Sequence, residues 1–284
     1  MNLSRRKFIR TSGTSLVSAA ILSQVPLSVF GSANMMKKRS FGFQIWTIKD
    51  RLIADFPGTL KMMADSGYKE VEMCSPLGYN FESLHKIKGP DMRKIIEDAG
   101  LKCTSSHYTL PELRDHLDNR IQWAFDLGMK QIILSSFWLP KEASMDDYKK
   151  SCDELNILGE KTKKAGIQMG FHNHHMEFEK RDGELIYDVL LEQLDPDLVK
   201  MQFQVAVENI GYKSSDYFNK YPGRFISAHL SDWVSEDKSV PVGQGMIAWP
   251  EFFKAAKTGG VQNFYAEINP DFFEESIKYL LNLS

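Results

Sequence analysis

Residues 165–172 read Ala165-Gly166-Ile167-Gln168-Met169-Gly170-Phe171-His172. A helical pattern from Met145 to Ala165 runs into Gly166, and an apolar strand-like run starts at once at Gln168. Glycine just past a helix takes up the left-handed conformation that stops it, and the chain turns directly into its next element. The same joint occurs three more times, as Ser66-Gly67-Tyr68-Lys69, Ala99-Gly100-Leu101-Lys102 and Leu127-Gly128-Met129-Lys130. Strands alternating with helices through such joints must run parallel, with the helices as crossovers.

Working outward, eight strands are predicted: Phe41 to Trp46, Glu70 to Met73, Lys102 to Ser106, Gln131 to Ser135, Gln168 to His172, Lys200 to Val205, Phe225 to His229 and Phe264 to Ile268. Helices are predicted over Thr59 to Asp65, Asp91 to Asp98, Pro111 to Leu127, Met145 to Ala165 and Pro250 to Lys257, with a last one over Phe272 to Leu283. Eight βα units point to closure into a (β/α)8 TIM barrel rather than an open sheet. No GxGxxG follows the first strand, which weighs against a dinucleotide fold.

The chain starts differently. Ser4-Arg5-Arg6-Lys7-Phe8-Ile9-Arg10 matches a twin-arginine export signal, followed by a moderately apolar run, Leu16 to Phe30, and a small-residue exit, Gly31-Ser32-Ala33. The run is too short and too rich in serine to span a membrane. Residues 1–33 are therefore expected to be a signal peptide and residues 34–284 one barrel, working in the periplasm or secreted by the twin-arginine route. That mature length, roughly 250 residues, is typical of one α/β barrel. The net charge of −2 gives no case for nucleic acid or an anionic membrane as partner. Three cysteines, Cys74, Cys103 and Cys152, make no disulfide framework.

Chemistry in such a barrel sits at the C-terminal ends of the strands. Five of the seven histidines fall there, at His107, His172, His174, His175 and His229. On a strand His172 and His174 share a face. His172, Gln204, His229 and Glu267 come from the ends of four successive strands and are the expected metal ligands, with His174 in reserve. Imidazole nitrogen with carboxylate and amide oxygen suits a divalent transition ion, Mn²⁺, Co²⁺, Ni²⁺, Fe²⁺ or Zn²⁺.

Gly170-Phe171-His172-Asn173-His174-His175-Met176-Glu177-Phe178, Tyr221-Pro222-Gly223-Arg224-Phe225, His229-Leu230-Ser231-Asp232 and Gly243-Gln244-Gly245 before Trp249 resemble the sugar phosphate isomerase/epimerase group of xylose-isomerase-like TIM barrels. The resemblance covers the mature chain. It implies metal ligands from strands five to eight, which fall on His172, Gln204, His229 and Glu267. Two depart from the group's usual Glu, Asp, His, Glu, and Ser231 stands where a lysine is common. With only Glu267 left of the two carboxylates that an epimerase places on opposite faces of an enediolate, one base beside a metal-bound carbonyl remains. That suits enolisation of a non-phosphorylated keto-sugar, ending in isomerisation, or in lyase or hydratase chemistry on a 3-keto-glycoside. A barrel that binds sugar without catalysis is the third reading.

Glu267, Glu177 and His107 are the expected catalytic residues. Trp46, Glu72, Trp138, His174 and Asp232 are expected to bind the sugar or glycoside, with Phe137 and Trp233 as further stacking candidates.

Overall fold

The computed structural model describes residues 39–283, so the leader read from the sequence lies outside the described residues. Eight parallel strands close into a barrel: β1 Gly42–Gln44, β2 Glu70–Cys74, β3 Lys102–Tyr108, β4 Gln131–Leu134, β5 Gln168–His172, β6 Val199–Gln204, β7 Phe225–Leu230 and β8 Asn263–Ala266. β8 pairs with β1, so no edge is left open. Each strand lies within a few residues of its predicted span.

Helices follow each strand and cover the barrel: α1 Lys49–Ala54, α2 Phe56–Ser66, α3 Glu82–His85, α4 Gly89–Asp98, α5 Leu110–Leu127, α6 Met145–Lys164, α7 Ile186–Gln193, α8 Ser214–Lys220, α9 Trp249–Gly259 and α10 Phe273–Asn282. Their starts are chemically marked. Ser144 and Asp147 form a reciprocal capping box at α6, and Thr109 and Asp55 cap α5 and α2. The joint glycines Gly67, Gly100, Gly128 and Gly166 all have positive φ, between 76° and 123°, the conformation their position demands. The layer between barrel and helices is rich in aromatic rings, with Phe41, Trp249, Phe252, Phe253 and Phe264 in mutual contact. Arg224, from the Tyr221–Phe225 motif, is buried and donates to the carbonyls of Val199 and Leu194, a clasp between strand and helix.

Inside the barrel the packing is polar. Gln202 Nε2 donates to Glu72 Oε1 and to Ser227 Oγ, each at 2.8 Å. Ser105 Oγ donates to Glu72 Oε1 and also lies 3.3 Å from the Tyr265 hydroxyl, which is 2.7 Å from Thr104 Oγ1. Two register shifts build this arrangement. β3 carries an extra residue, Thr104, opposite the step from Val71 to Glu72, and β7 carries Ile226 opposite the step from Met201 to Gln202. A bulge re-aims the side chains beside it, and here it sets Glu72 against Ser105 and Gln202 against Ser227.

Candidate active site

The C-terminal ends of the strands surround a cavity of about 270 Å³ lined by Gln44, Trp46, Cys74, Tyr79, His107, Ser135, Trp138, His172, His174 and Glu267. Strands β1 to β5 and β8, with the loops after them, supply this wall.

At its base stand three imidazoles in contact, His107 and His229 stacked and His172 tilted against both. His229 lies 4.4 Å from His172 and 5.2 Å from His107, ring centre to ring centre, and His107 lies 4.9 Å from His172. One nitrogen of each falls within 4.8 Å of the others. His229 is fully buried between two carboxylates: Nε2 meets Glu72 Oε2 at 2.5 Å, and Nδ1 meets Glu267 Oε2 at 2.9 Å. Burial alone would depress its pKa, but Glu72 and Glu267 outweigh burial and lift it to about 9. Burial likewise opposes ionisation of Glu72, yet the imidazoles of His107 and His229 hold its carboxyl far below the ordinary range. The sign is the same at Glu267, where burial is overcome chiefly by His229. His107 Nε2 is 2.6 Å from Gln202 Oε1 and 3.2 Å from Glu72 Oε2. Because Gln202 Nε2 already donates elsewhere, its oxygen accepts and His107 carries its proton on Nε2.

His172 behaves oppositely. Burial, and then the neighbouring imidazoles, drive its pKa well below the usual value, so it is neutral. His174 falls to about 4, again chiefly through burial. Among the described residues, Nδ1 of both His172 and His174 is buried without a hydrogen-bond partner. A buried, neutral imidazole nitrogen with its lone pair unused is what a metal ligand needs. His229, oriented through Nε2 by a buried carboxylate, has the arrangement that fixes a ligating histidine. The donor set therefore fits a divalent transition ion.

The residues expected from the sequence fall into two groups. His107, His172, His174, Glu267, Trp46 and Trp138 all line the cavity, and His229 lies beneath it. Gln204 reaches the cluster through its amide nitrogen: Nε2 donates to Glu267 Oε2 at 2.7 Å, while Oε1 accepts from the Ala206 N–H. Glu72 sits under the imidazoles rather than on the cavity wall. Glu177 is buried, its oxygens taken by Ser136 Oγ and the His174 N–H at 2.6 and 2.7 Å, and burial lifts its pKa to about 7. It ties the loop after β4 to the loop after β5. Asp232 is buried away from the cavity, where the backbone N–H groups of Gly243, Gly245 and Ile247 and the Trp249 indole donate to it. Phe137 packs on Phe171, and Trp233 lies in the hairpin formed by Asp232–Ser235 and Lys238–Val240. Gln44, Cys74, Tyr79, Ser135 and Gln202 carried no expected role. Gln44, Cys74, Ser135 and Gln202 stand at or near strand ends, but amides, thiols and hydroxyls there carry no signal that separates lining from filling.

The model of the xylose isomerase-like TIM barrel family matches residues 60–283. No curated protein matches the chain. Among solved structures, a sugar phosphate isomerase/epimerase from Parabacteroides distasonis is 27% identical over 88% of this chain and 96% of its own, with a TM-score of 0.71. A probable 3-DHS dehydratase, AsbF, from Bacillus anthracis (12% identity, 85% and 98% covered, TM-score 0.68) and a xylose isomerase-like protein from Mycobacterium smegmatis in complex with magnesium (14%, 86% and 96%, 0.64) share the fold.

Proposed function

The chain belongs to the xylose isomerase-like TIM barrel family, and on that premise we propose that it is a metal-dependent carbohydrate enzyme that enolises a non-phosphorylated keto-sugar. The observation that carries this reading is the single carboxylate on the cavity wall, Glu267, beside the buried, unpartnered Nδ1 atoms of His172 and His174. Its Oε2 is fixed by His229 and Gln204, which leaves Oε1 to take a proton from the carbon next to a sugar carbonyl. The positive His229 keeps Glu267 ionised at neutral pH, so it is ready but weakly basic. A weak base needs an acidified C–H bond. A divalent transition ion would be held by His172, Glu267 and, once its Nδ1 gives up the proton it shares with Glu267, His229, and would supply that acidity by polarising the carbonyl.

Gln204 and His229 hold Glu267 in place, Glu72 holds His229, and Glu177 holds His174 beside the cavity. His174, neutral and with an unused nitrogen, suits a sugar hydroxyl. Among the described residues the cavity lining carries the anionic Glu267 and no Lys or Arg, with the Lys49 ammonium held over the Trp46 ring, which favours an uncharged sugar over a phosphorylated one.

One base on one face suits a proton returned to the same face, as in aldose–ketose isomerisation. It equally suits β-elimination from a 3-keto-glycoside, the second reading. Inversion at carbon needs a second acid, for which His174 is the candidate on the wall.

Exchange of the substrate α-proton in D₂O, followed by NMR on keto-sugars and 3-keto-glycosides with Mn²⁺, Co²⁺, Ni²⁺, Fe²⁺ or Zn²⁺ supplied, tests the proposal. Exchange that falls by about 10²–10⁴-fold in Glu267→Gln supports it. Absence of exchange on every substrate and metal removes it.

A further inference from the structure

Two tryptophans stand half-exposed on the wall of the cavity, Trp46 at 41% and Trp138 at 53%. An exposed indole on a cavity wall contributes less to folding than a buried one, yet both are held with care. The Trp46 N–H donates to Gln44 Oε1, its ring meets Tyr79 edge-on at 5.6 Å, and the Lys49 ammonium sits 4.5 Å over it. Trp138 has φ +52°, a left-handed backbone unusual for a bulky side chain. Its N–H donates to Ser136 Oγ, its indole N–H to Ser135 Oγ, and its ring lies 4.9 Å from His174. Strain of that kind persists where the surroundings over-determine it, and it collects at binding sites.

The cavity that these two side chains line together with the imidazoles, about 270 Å³, falls just under the roughly 300–1,000 Å³ of pockets that take drug-sized ligands. It has room for one sugar ring. A second ring has to reach toward solvent, where the two indoles keep part of their surface exposed, Trp46 with Lys49 over its ring.

We infer that Trp46 and Trp138 form a second subsite, for a flat-faced ring attached to the reacting sugar, so that the natural substrate is a glycoside rather than a free monosaccharide. The inference rests on the proposed reading of the cavity only in placing the reacting ring there. The attached ring can be a second pyranose or an aryl group, since both offer an apolar face to an indole.

Binding separates this from the catalytic proposal, because it needs no turnover. The mature protein is titrated by calorimetry with methyl β-D-glucopyranoside, cellobiose and 4-nitrophenyl β-D-glucopyranoside. The two-ring probes should bind at least about tenfold more tightly than the methyl glycoside, a difference of about 1.4 kcal/mol. In the Trp46→Ala/Trp138→Ala protein that ratio should collapse toward one. A preference for cellobiose alone marks the second ring as a sugar, and one for the nitrophenyl glycoside alone marks it as aryl. Equal affinities in the wild type, a preference that survives the double replacement, or no binding of any probe overturns the inference. Circular dichroism of the double variant checks that the barrel is intact. A wild-type preference for the two-ring probes that the double replacement abolishes, with no α-proton exchange, would remove the enolisation proposal and leave the subsite standing.

Discussion

At the scale of the residue, Glu72 carries the most weight for its size. Buried without exposure, it accepts from His229, Ser105 and Gln202 and lies within ion-pair distance of His107. Replacing it by Gln keeps the shape and removes the charge. His229 then loses one of its two anions, and its pKa should fall from about 9, which ¹H–¹⁵N NMR of the imidazole reads directly. A group whose folded pKa is raised stabilises the fold fully below its ordinary value, 6.5 for this histidine, and loses that contribution as pH rises through the folded value. The alkaline loss of stability should therefore be smaller in Glu72→Gln and complete at lower pH. Metal affinity should drop by about 10- to 100-fold, the usual cost of removing a ligand's orienting partner.

Glu177 makes the same argument in acid form. Its carboxyl is raised from 4.5 to about 7, chiefly by burial, so the folded state prefers it protonated. Its contribution is complete below about 4.5 and fades as pH rises through 7, a loss worth about 3 kcal/mol. Glu177→Gln should flatten the stability profile between pH 5 and 8 in urea titrations, and an unchanged profile would show that the carboxyl does not titrate there. The sequence made His172, His174, His229 and Glu267 legible, because a histidine or carboxylate at the end of a barrel strand stands out against apolar neighbours. It could not separate the roles of Glu72 and Asp232. Both are acidic residues at strand ends, and only packing shows that one meets imidazoles and the other meets a loop.

At the scale of the element, the strands were legible because apolar runs alternate with glycine-marked joints. α5 and α6 were legible because length and caps reinforce their periodicity. α1, α3, α7 and α8 were not: at six, four, eight and seven residues they are too short for a period to register. The Gly243-Gln244-Gly245 motif marks a loop folded around a carboxylate. A Cβ on Gly245 would stand 2.1 Å from Asp232 Oδ1 and 2.4 Å from the Trp233 carbonyl oxygen. Gly245→Ala should therefore loosen the hairpin that begins at Asp232, leave a buried carboxylate short of donors, and cost about 1–3 kcal/mol. Thermal melts and faster amide exchange at Gly243 and Ile247 would register it. Stability equal to wild type would mean that the cradle yields without cost.

At the scale of the whole molecule, the described residues, 39–283, form one unit, and among them no helix is long and apolar enough to cross a membrane. We propose that residues 1–33 export this unit already folded, which suits a protein whose site would be filled before it leaves the cytoplasm. Fused to a reporter, this segment should deliver it to the periplasm, and replacing both Arg5 and Arg6 by Lys should retain it inside. Delivery unaffected by the double replacement would exclude the twin-arginine route.

The polar interior of the barrel has a consequence of its own. Glu267, His229, Glu72, Ser105, Tyr265 and Thr104 follow one another through hydrogen bonds from the cavity into the barrel interior. Such a row is a stack of dipoles, each polarised by the next. A change at its inner end, such as Thr104→Val or Tyr265→Phe, alters the charge felt at the outer end without moving any atom that meets the sugar. If Glu267 is the base proposed above, its basicity is a property that the interior can retune by remote substitution, leaving the shape of the mouth, and so the choice of substrate, as it was.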